Sequence, residues 1–109
     1  MPKAGVPLTI KVGVHVYTVV LATKREMPKG DDDDHMLGWC DYNNNIIWVY
    51  KHQPVSKRKE VLLHEVLHAC GYPALSHKQL DEEDFVDATA PVLLQVLQDN
   101  PELVNYLRK

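Results

Sequence analysis

The sequence changes character at Pro54, and this change constrains the fold more than any other feature. Before Pro54, apolar and often β-branched residues alternate with polar ones, which is typical of half-buried strands. After Pro54, segments with helix-capping residues and apolar helical stripes predominate. The 109 residues are enough for one domain with a buried core, and 45% of them are hydrophobic. Strands followed by helices predict a single α+β domain over residues 1–109.

The first half predicts three strands. Residues 8–21 alternate throughout and predict one long strand, with one face formed by Ile10, Val12, Val14 and Val16. Residues 36–51 predict two short strands joined at 42–45, because asparagines tolerate the left-handed backbone of tight turns. Ile47 and Val49 are expected to share one face of the second short strand. Residues 23–35, which include four consecutive aspartates, predict a solvated loop without the spaced ligands of a calcium site.

The second half predicts helices. Ser56 can cap a helix over residues 57–70, and Gly71 suits a left-handed C-terminal stop. The end of this helix is apolar almost all round, so we expect a buried central helix. Residues 72–80 predict a loop.

A second helix is predicted from an Asp81 cap to about Gln98, with a kink near Pro91. Asn100 and Pro101 should end it, and residues 101–109 predict a short terminal helix.

Charge, hydropathy and cysteine count narrow the class of protein. The net charge of −3 argues against a nucleic-acid partner, because phosphate binding needs a cationic surface. No stretch approaches the roughly 20 apolar residues of a membrane span, and no signal peptide is recognised at the start. Cys40 and Cys70 are too few for a disulfide framework. The sequence therefore predicts a reduced, cytoplasmic protein.

The stretch LLHEVLHACG, residues 62–71, contains the pattern most specific to function. On a helix, His64 and His68 emerge from the same face, so their imidazoles can occupy two corners of a zinc tetrahedron. Glu65 lies about 100° round the helix, where its carboxylate can reach a water held by the metal. A polar cluster inside an apolar helix is the alternative interpretation. One Zn²⁺ accounts for all three residues, since polar groups on a buried helix are costly unless paired or metal-bound.

A third protein ligand is expected on the second helix. Glu83 shares a helical stripe with Val86, Ala90, Leu94 and Leu97, so it should border the face that packs on the first helix. Glu82 competes for this role, since it also neighbours Val86. Asp87, one turn after Glu83, could accept the free N–H of a ligand histidine, and this pairing favours Glu83. An acidic first turn, stabilised by the helix dipole, is the simpler explanation for some of these carboxylates.

The HExxH pattern at 64–68, followed by a glutamate and an acid four positions on, resembles the gluzincin pattern HExxH…ExxxD. LLHEVLHACGY and LDEEDFVDATAPVLLQVLQDNPELVNYL resemble small HExxH proteins of bacteriophages and prophages, over about half of the chain. GWCDYNNNIIWVY is similar to the β-hairpin that precedes the active-site helix in minimal zincins. The resemblance implies a minimal zincin: a small, mostly antiparallel sheet whose edge strand lies beside the HExxH helix, with a glutamate-bearing helix behind.

These observations predict a zinc metallopeptidase, a hydrolase acting on a peptide or protein in the cytoplasm, which is the host cytoplasm if the gene is phage-borne. Zn²⁺ would be held by His64, His68 and Glu83, with Glu65 as general base. Tyr72 and His77 are candidate donors to the tetrahedral intermediate, and strand Ile46–Tyr50 could pair with an extended substrate. A zinc-stabilised protein-binding module and a metal-free domain are the competing interpretations.

Overall fold

The structure is a computed structural model that describes residues 5–28, 36–75 and 81–109, and only the helical backbone of 72–75. Its elements, in chain order, are β1 (Thr9–Val12), β2 (His15–Ala22), β3 (Gly38–Asp41), β4 (Ile46–Tyr50), α1 (Val55–Leu75), α2 (Glu82–Asp99) and α3 (Pro101–Arg108). The strands form one four-stranded sheet, and the helices follow it in the chain. The predicted α+β class is confirmed.

The sheet is mixed, with the order β1-β2-β4-β3. The β1–β2 and β3–β4 pairs are antiparallel, whereas β2 and β4 are parallel, so the sheet is mostly antiparallel as expected. β4 therefore lies inside the sheet, between β2 and β3. The strand at the edge on that side is β3.

The single strand predicted over residues 8–21 is wrong. The chain reverses at Gly13 and Val14, and Val12 pairs with His15 across a two-residue turn. Gly13 has φ +60°, and glycine at the first central position is the preference of type II′ hairpin turns. The reversal changes which residues are buried: Val14 is 89% exposed and Val16 54%, whereas Tyr17 is 5% exposed. Alternation alone could not reveal this turn, because the apolar period continues through it.

The second hairpin is confirmed. β3 and β4 are joined by a turn over residues 42–45. The carboxylate of Asp41 accepts hydrogen bonds from the backbone N–H groups of Asn43 (3.1 Å) and Asn44 (3.2 Å), and Asn45 has φ +55°. Ile47 and Val49 share the buried face of β4, as expected.

The core lies between the sheet and the helices. α1 packs against β3 and β4, and α2 packs against α1 and β1. The largest fully buried side chains are Ile10, Ile47, Leu62, Leu103, Val49, Val66, Val96 and Pro7. None of the described helices has the length and the apolar character that crossing a membrane requires.

α1 is longer than predicted. It begins at Val55, so Ser56 lies inside the first turn, and it continues through Gly71 to Leu75. Gly71 is buried in the helix and lacks the positive φ of a C-terminal stop. An interior glycine costs a helix only about 1 kcal/mol, which tertiary packing offsets. The predicted loop is therefore wrong at 72–75, and residues 76–80 lie outside the described part.

The expectation that α1 is buried on all sides is also wrong. Leu62 and Val66 are fully buried against the sheet, whereas Leu63 is 37% and Leu67 40% exposed. His64 and His68 lie on the exposed side with them. The helix is therefore amphipathic, and its histidines face solvent.

The predicted ends of α2 are confirmed. Asp81 is the N-cap, and its carboxylate accepts a hydrogen bond of 2.8 Å from the backbone N–H of Asp84. Asn100 separates α2 from α3, and its side-chain amide donates to the carbonyls of Val96 (2.8 Å) and Lys11 (2.9 Å). The same amide accepts from the backbone N–H of Lys11 (2.8 Å), which fixes the end of α2 to β1. Pro91 lies inside α2, and a kink there stays a prediction.

Candidate metal centre

His64 and His68 point to a common position on the exposed side of α1. Their Nε2 atoms are 3.2 Å apart, and their rings meet edge to face with centroids 4.8 Å apart. The shared face follows from the four-residue spacing, which places the two side chains one above the other on a helix. The predicted convergence of the two imidazoles is confirmed.

The Nε2 separation fits two ligands of one ion. Zinc–nitrogen bonds of about 2.0–2.1 Å at the tetrahedral angle place two ligand nitrogens about 3.3–3.4 Å apart. The observed 3.2 Å is close to this value. Two neutral imidazoles that share one hydrogen bond lie at a similar distance in the absence of an ion.

Glu65, one residue after His64 and about 100° round the helix from it, completes the group. Ligand atoms of His64, Glu65 and His68 all lie within 4.8 Å of one another. Among the described residues, these three form the one group of His, Cys, Asp or Glu side chains close enough together to hold a metal ion. Glu65 is only 6% exposed, although both histidines are exposed. The group thus combines two accessible nitrogens with one sheltered carboxylate.

Burial determines the protonation of this group. Burial raises the pKa of the Glu65 carboxyl above its usual value, and the nearby His64 partly offsets this effect. Although His68 is exposed, neighbouring atoms remove part of the water around its ring, and this desolvation lowers its pKa; a charge on His64 lowers it further. The neutral imidazole that results is the form that binds metal. A divalent cation in the same place would favour the ionised form of Glu65.

Edge strand β3 shelters Glu65. A groove of about 320 Å³ between β3 and α1 is lined by Met36, Leu37, Gly38, Glu60, Val61, His64 and Glu65. A second groove of about 260 Å³ is lined by Gly38, Trp39, Cys40, Tyr42, His64, Glu65 and His68. The two share Gly38, His64 and Glu65, so open space extends to both sides of the candidate metal ligands along β3.

The expectation that β4 pairs with an extended substrate is wrong. β4 (Ile46–Tyr50) has β2 on one side and β3 on the other, so its backbone groups are already used. β3 is the strand beside α1, and in the described part of the chain only β4 pairs with it. Residue patterns identified both strands but not their order, because the parallel pairing of β2 with β4 joins segments far apart in sequence.

Glu83 lies in the exposed first turn of α2 and is not part of the group formed by His64, Glu65 and His68. Glu82 and Asp87 are exposed as well. The stripe expected to bring Glu83 onto α1 does not pack: Val86 is 47%, Leu94 56% and Leu97 42% exposed, and Ala90 is exposed too. The choice of Glu83 as third ligand stays a prediction.

α2 packs through a different stripe. Thr89 and Val96 are its buried residues, and Val92 and Leu93 pack against the core beside Val96. Both stripes are apolar, so hydropathy could not distinguish them, and the sequence-based choice of the packing face is wrong.

The side chains of the two predicted donors to a tetrahedral intermediate lie outside the described part of the chain. Tyr72 lies in the last turns of α1, but its side chain is outside the description, and His77 lies outside the described residues altogether. Sequence reasoning also missed Gly38 of β3, where a methyl group would lie 2.9 Å from Glu65 Oε2. Its only signal was a glycine at the start of a predicted strand.

Fold and site together define a small α+β protein in which a helix carrying a His-Glu-His group lies beside an edge strand. The chain matches no protein-family model, no curated protein and no solved structure.

Proposed function

We propose that this protein is a zinc-dependent metallopeptidase. The observation that carries the proposal is the 3.2 Å separation of the His64 and His68 Nε2 atoms, with the Glu65 carboxylate beside them. Nitrogen ligands at this separation suit zinc, which prefers imidazole and tetrahedral geometry. A structural zinc site has no need of a free carboxylate next to its ligands, whereas a hydrolase needs a base there.

His64 and His68 would hold the ion through Nε2, and a third protein ligand is needed for a catalytic site. We retain Glu83 for that role, with Glu82 as the alternative and Asp87 as the acceptor that orients a histidine. Zinc, when bound, supplies Lewis acidity that polarises the peptide carbonyl and lowers the pKa of water. Tyr72 and His77 remain candidates for donating a hydrogen bond to the developing oxyanion.

Glu65 performs the proton transfers. Its carboxylate removes a proton from the attacking water and later delivers it to the nitrogen of the leaving amine. Its burial against β3 suits this role, because a sheltered carboxylate is held beside the two imidazoles instead of turning freely in water.

The substrate we propose is an extended segment of a peptide or protein lying along β3. An edge strand offers unpaired backbone groups to an added strand, and β3 runs beside the candidate ligands. The pair of grooves on either side of Gly38 gives space for side chains before and after the bond to be cut. A cytoplasmic protein substrate, of phage or host origin, remains part of this proposal.

The test compares Glu65→Gln with wild type. Glutamine keeps the shape of the side chain but cannot act as a base, so we expect unchanged zinc content and at least about a 100-fold loss of hydrolysis of a denatured protein substrate. Glu102→Gln is the matched control, because Glu102 is exposed in the first turn of α3 and lines neither groove. Equal hydrolysis by wild type and Glu65→Gln contradicts the proposal.

A zinc-stabilised protein-binding module is the second candidate. It is favoured by the exposed apolar side chains beside the histidines, including Leu63, Leu67 and Trp39, which is 37% exposed. This alternative expects Glu65→Gln to retain full biological activity, and zinc removal to abolish partner binding.

A further inference from the structure

Gly38 lies so close to α1 that a side chain there would push against Val61 and Glu65. A methyl group at this position would lie 2.5 Å from Val61 Cγ1, 2.9 Å from Glu65 Oε2 and 3.2 Å from Glu65 Cγ. The described glycines with positive φ are Gly5 and Gly13, so Gly38 has a backbone conformation open to other residues. The structure therefore requires glycine here for space rather than for backbone freedom.

β3 is held in place at Gly38. Gly38 is paired with Val49 in the sheet, and the carbonyl of Leu37 accepts hydrogen bonds from the backbone N–H of Tyr50 (2.9 Å) and from the Gln53 amide (3.2 Å). The Gln53 amide also donates to the carbonyl of Tyr50 (2.7 Å). Moving the strand away from α1 would disturb these bonds, whereas the Glu65 carboxylate is the end of a flexible side chain. An added methyl group would therefore push against the side chains of Val61 and Glu65, and displace the carboxylate, before it moved the strand.

We propose that Gly38 is a positioning residue for the reaction of Glu65. By lacking a side chain, it lets the edge strand come within contact of the Glu65 carboxylate and hold it next to His64 and His68. This inference rests on the proposed peptidase function, and it adds a residue of the sheet to the His-Glu-His group of α1.

The activity test uses a Val61→Ala background. Alanine at 61 removes the Cγ1 atom that a methyl group at 38 would strike first, so the conflict with Glu65 is the one that remains. Compared with Val61→Ala, we expect the double variant Gly38→Ala/Val61→Ala to lose about 10- to 100-fold in kcat, because a catalytic group moved by a fraction of an ångström loses its alignment. KM and zinc content should change by less than about threefold. Equal kcat in the two variants overturns the proposal.

A second measurement reports on the contact without any activity. In metal-free protein with Val61→Ala, the melting temperatures of four variants form a double-mutant cycle between Gly38→Ala and Glu65→Ala. We expect the drop caused by Gly38→Ala to shrink by at least half when Glu65 is alanine. An equal drop in both backgrounds shows that Gly38 does not constrain Glu65, and overturns the inference.

The two measurements separate this inference from the proposed function. A wild-type protein that binds zinc but cleaves no peptide contradicts the peptidase, and the melting cycle then decides whether Gly38 positions Glu65. Coupling in the cycle with unchanged kcat shows a packing contact only, and rejects the positioning role.

Discussion

The Nε2 atoms of His64 and His68 lie 3.2 Å apart on the exposed side of α1, although the opposite side of the same helix is fully buried. An exposed imidazole pair needs no metal to satisfy its hydrogen bonds, since water can reach it. The buried neighbour Glu65 does need compensation, because a carboxylate out of water is costly.

The third ligand is tested by comparing Glu83→Ala with Glu82→Ala. If Glu83 binds the ion, its removal should weaken zinc affinity by at least about tenfold, whereas Glu82→Ala should change it little. Competition with a chromophoric chelator measures the zinc affinity of both variants. Glu82→Ala is the control for the loss of one negative charge, because it removes the same charge from the adjacent position. The reverse order assigns the role to Glu82, and equal affinities show that neither residue is a ligand.

Metal-free protein should become more stable when Glu65 is replaced by glutamine at neutral pH. Burial raises the pKa of Glu65, so between the unfolded and folded pKa values the native state holds a proton that the unfolded state has lost. Stability from this group is full at low pH and falls as pH rises through the folded pKa. Thermal melts in chelator should show Glu65→Gln above wild type at pH 7 and the difference shrinking toward pH 4. A Tm difference between the two proteins that stays constant from pH 4 to pH 7 would show that the raised pKa of Glu65 does not cause it.

Neither cysteine should react with alkylating reagents in the native state. Burial, with the charges of Glu65 and Asp41, raises the pKa of Cys40 to about 12, and burial raises that of Cys70, which is 3% exposed. At pH 8 the Cys40 thiolate is then roughly one part in ten thousand. Mass spectrometry after iodoacetamide treatment should show no label in buffer and two labels in guanidinium chloride. Rapid labelling of Cys40 in native protein would show that β3 does not lie against α1 as described.

The first hairpin depends on Gly13. Its φ of +60° is costly for any residue with a Cβ, so Gly13→Ala should lose about 1 kcal/mol, or roughly 4–8 °C in Tm for a chain of this size. Val14→Ala is the matched control, because Val14 is 89% exposed and its side chain contributes little to packing. Differential scanning calorimetry measures the Tm of both variants. Equal Tm values for both variants would contradict the turn at Gly13 and Val14.

Local signals predicted the parts of the fold that depend on neighbouring residues. The asparagines at 43–45 identified the β3–β4 turn, Asp81 identified the start of α2, and four-residue spacing brought His64 and His68 together. Each of these features is determined within a few residues, so the sequence is sufficient.

Other features were not predictable in the same way. The hairpin at Gly13 interrupts an alternation that continues unchanged through it, so the pattern indicated one strand instead of two. α2 has two apolar stripes, and only contact with the rest of the fold selects the one that contains Thr89 and Val96. The place of Glu83 depends on that selection, which is why the third ligand was the weakest part of the site prediction. Gly38 was missed because a close approach between strand and helix leaves no local pattern.

The most direct test of the central claim is the zinc content of protein purified without added metal, measured by inductively coupled plasma mass spectrometry together with His64→Ala and His68→Ala. We predict about one zinc per wild-type chain, less than about 0.2 in either variant, and a lower Tm of the wild type after chelation. Wild-type protein with less than about 0.2 zinc per chain, whose Tm is unchanged by a chelator, would contradict the claim that the two imidazoles bind one ion.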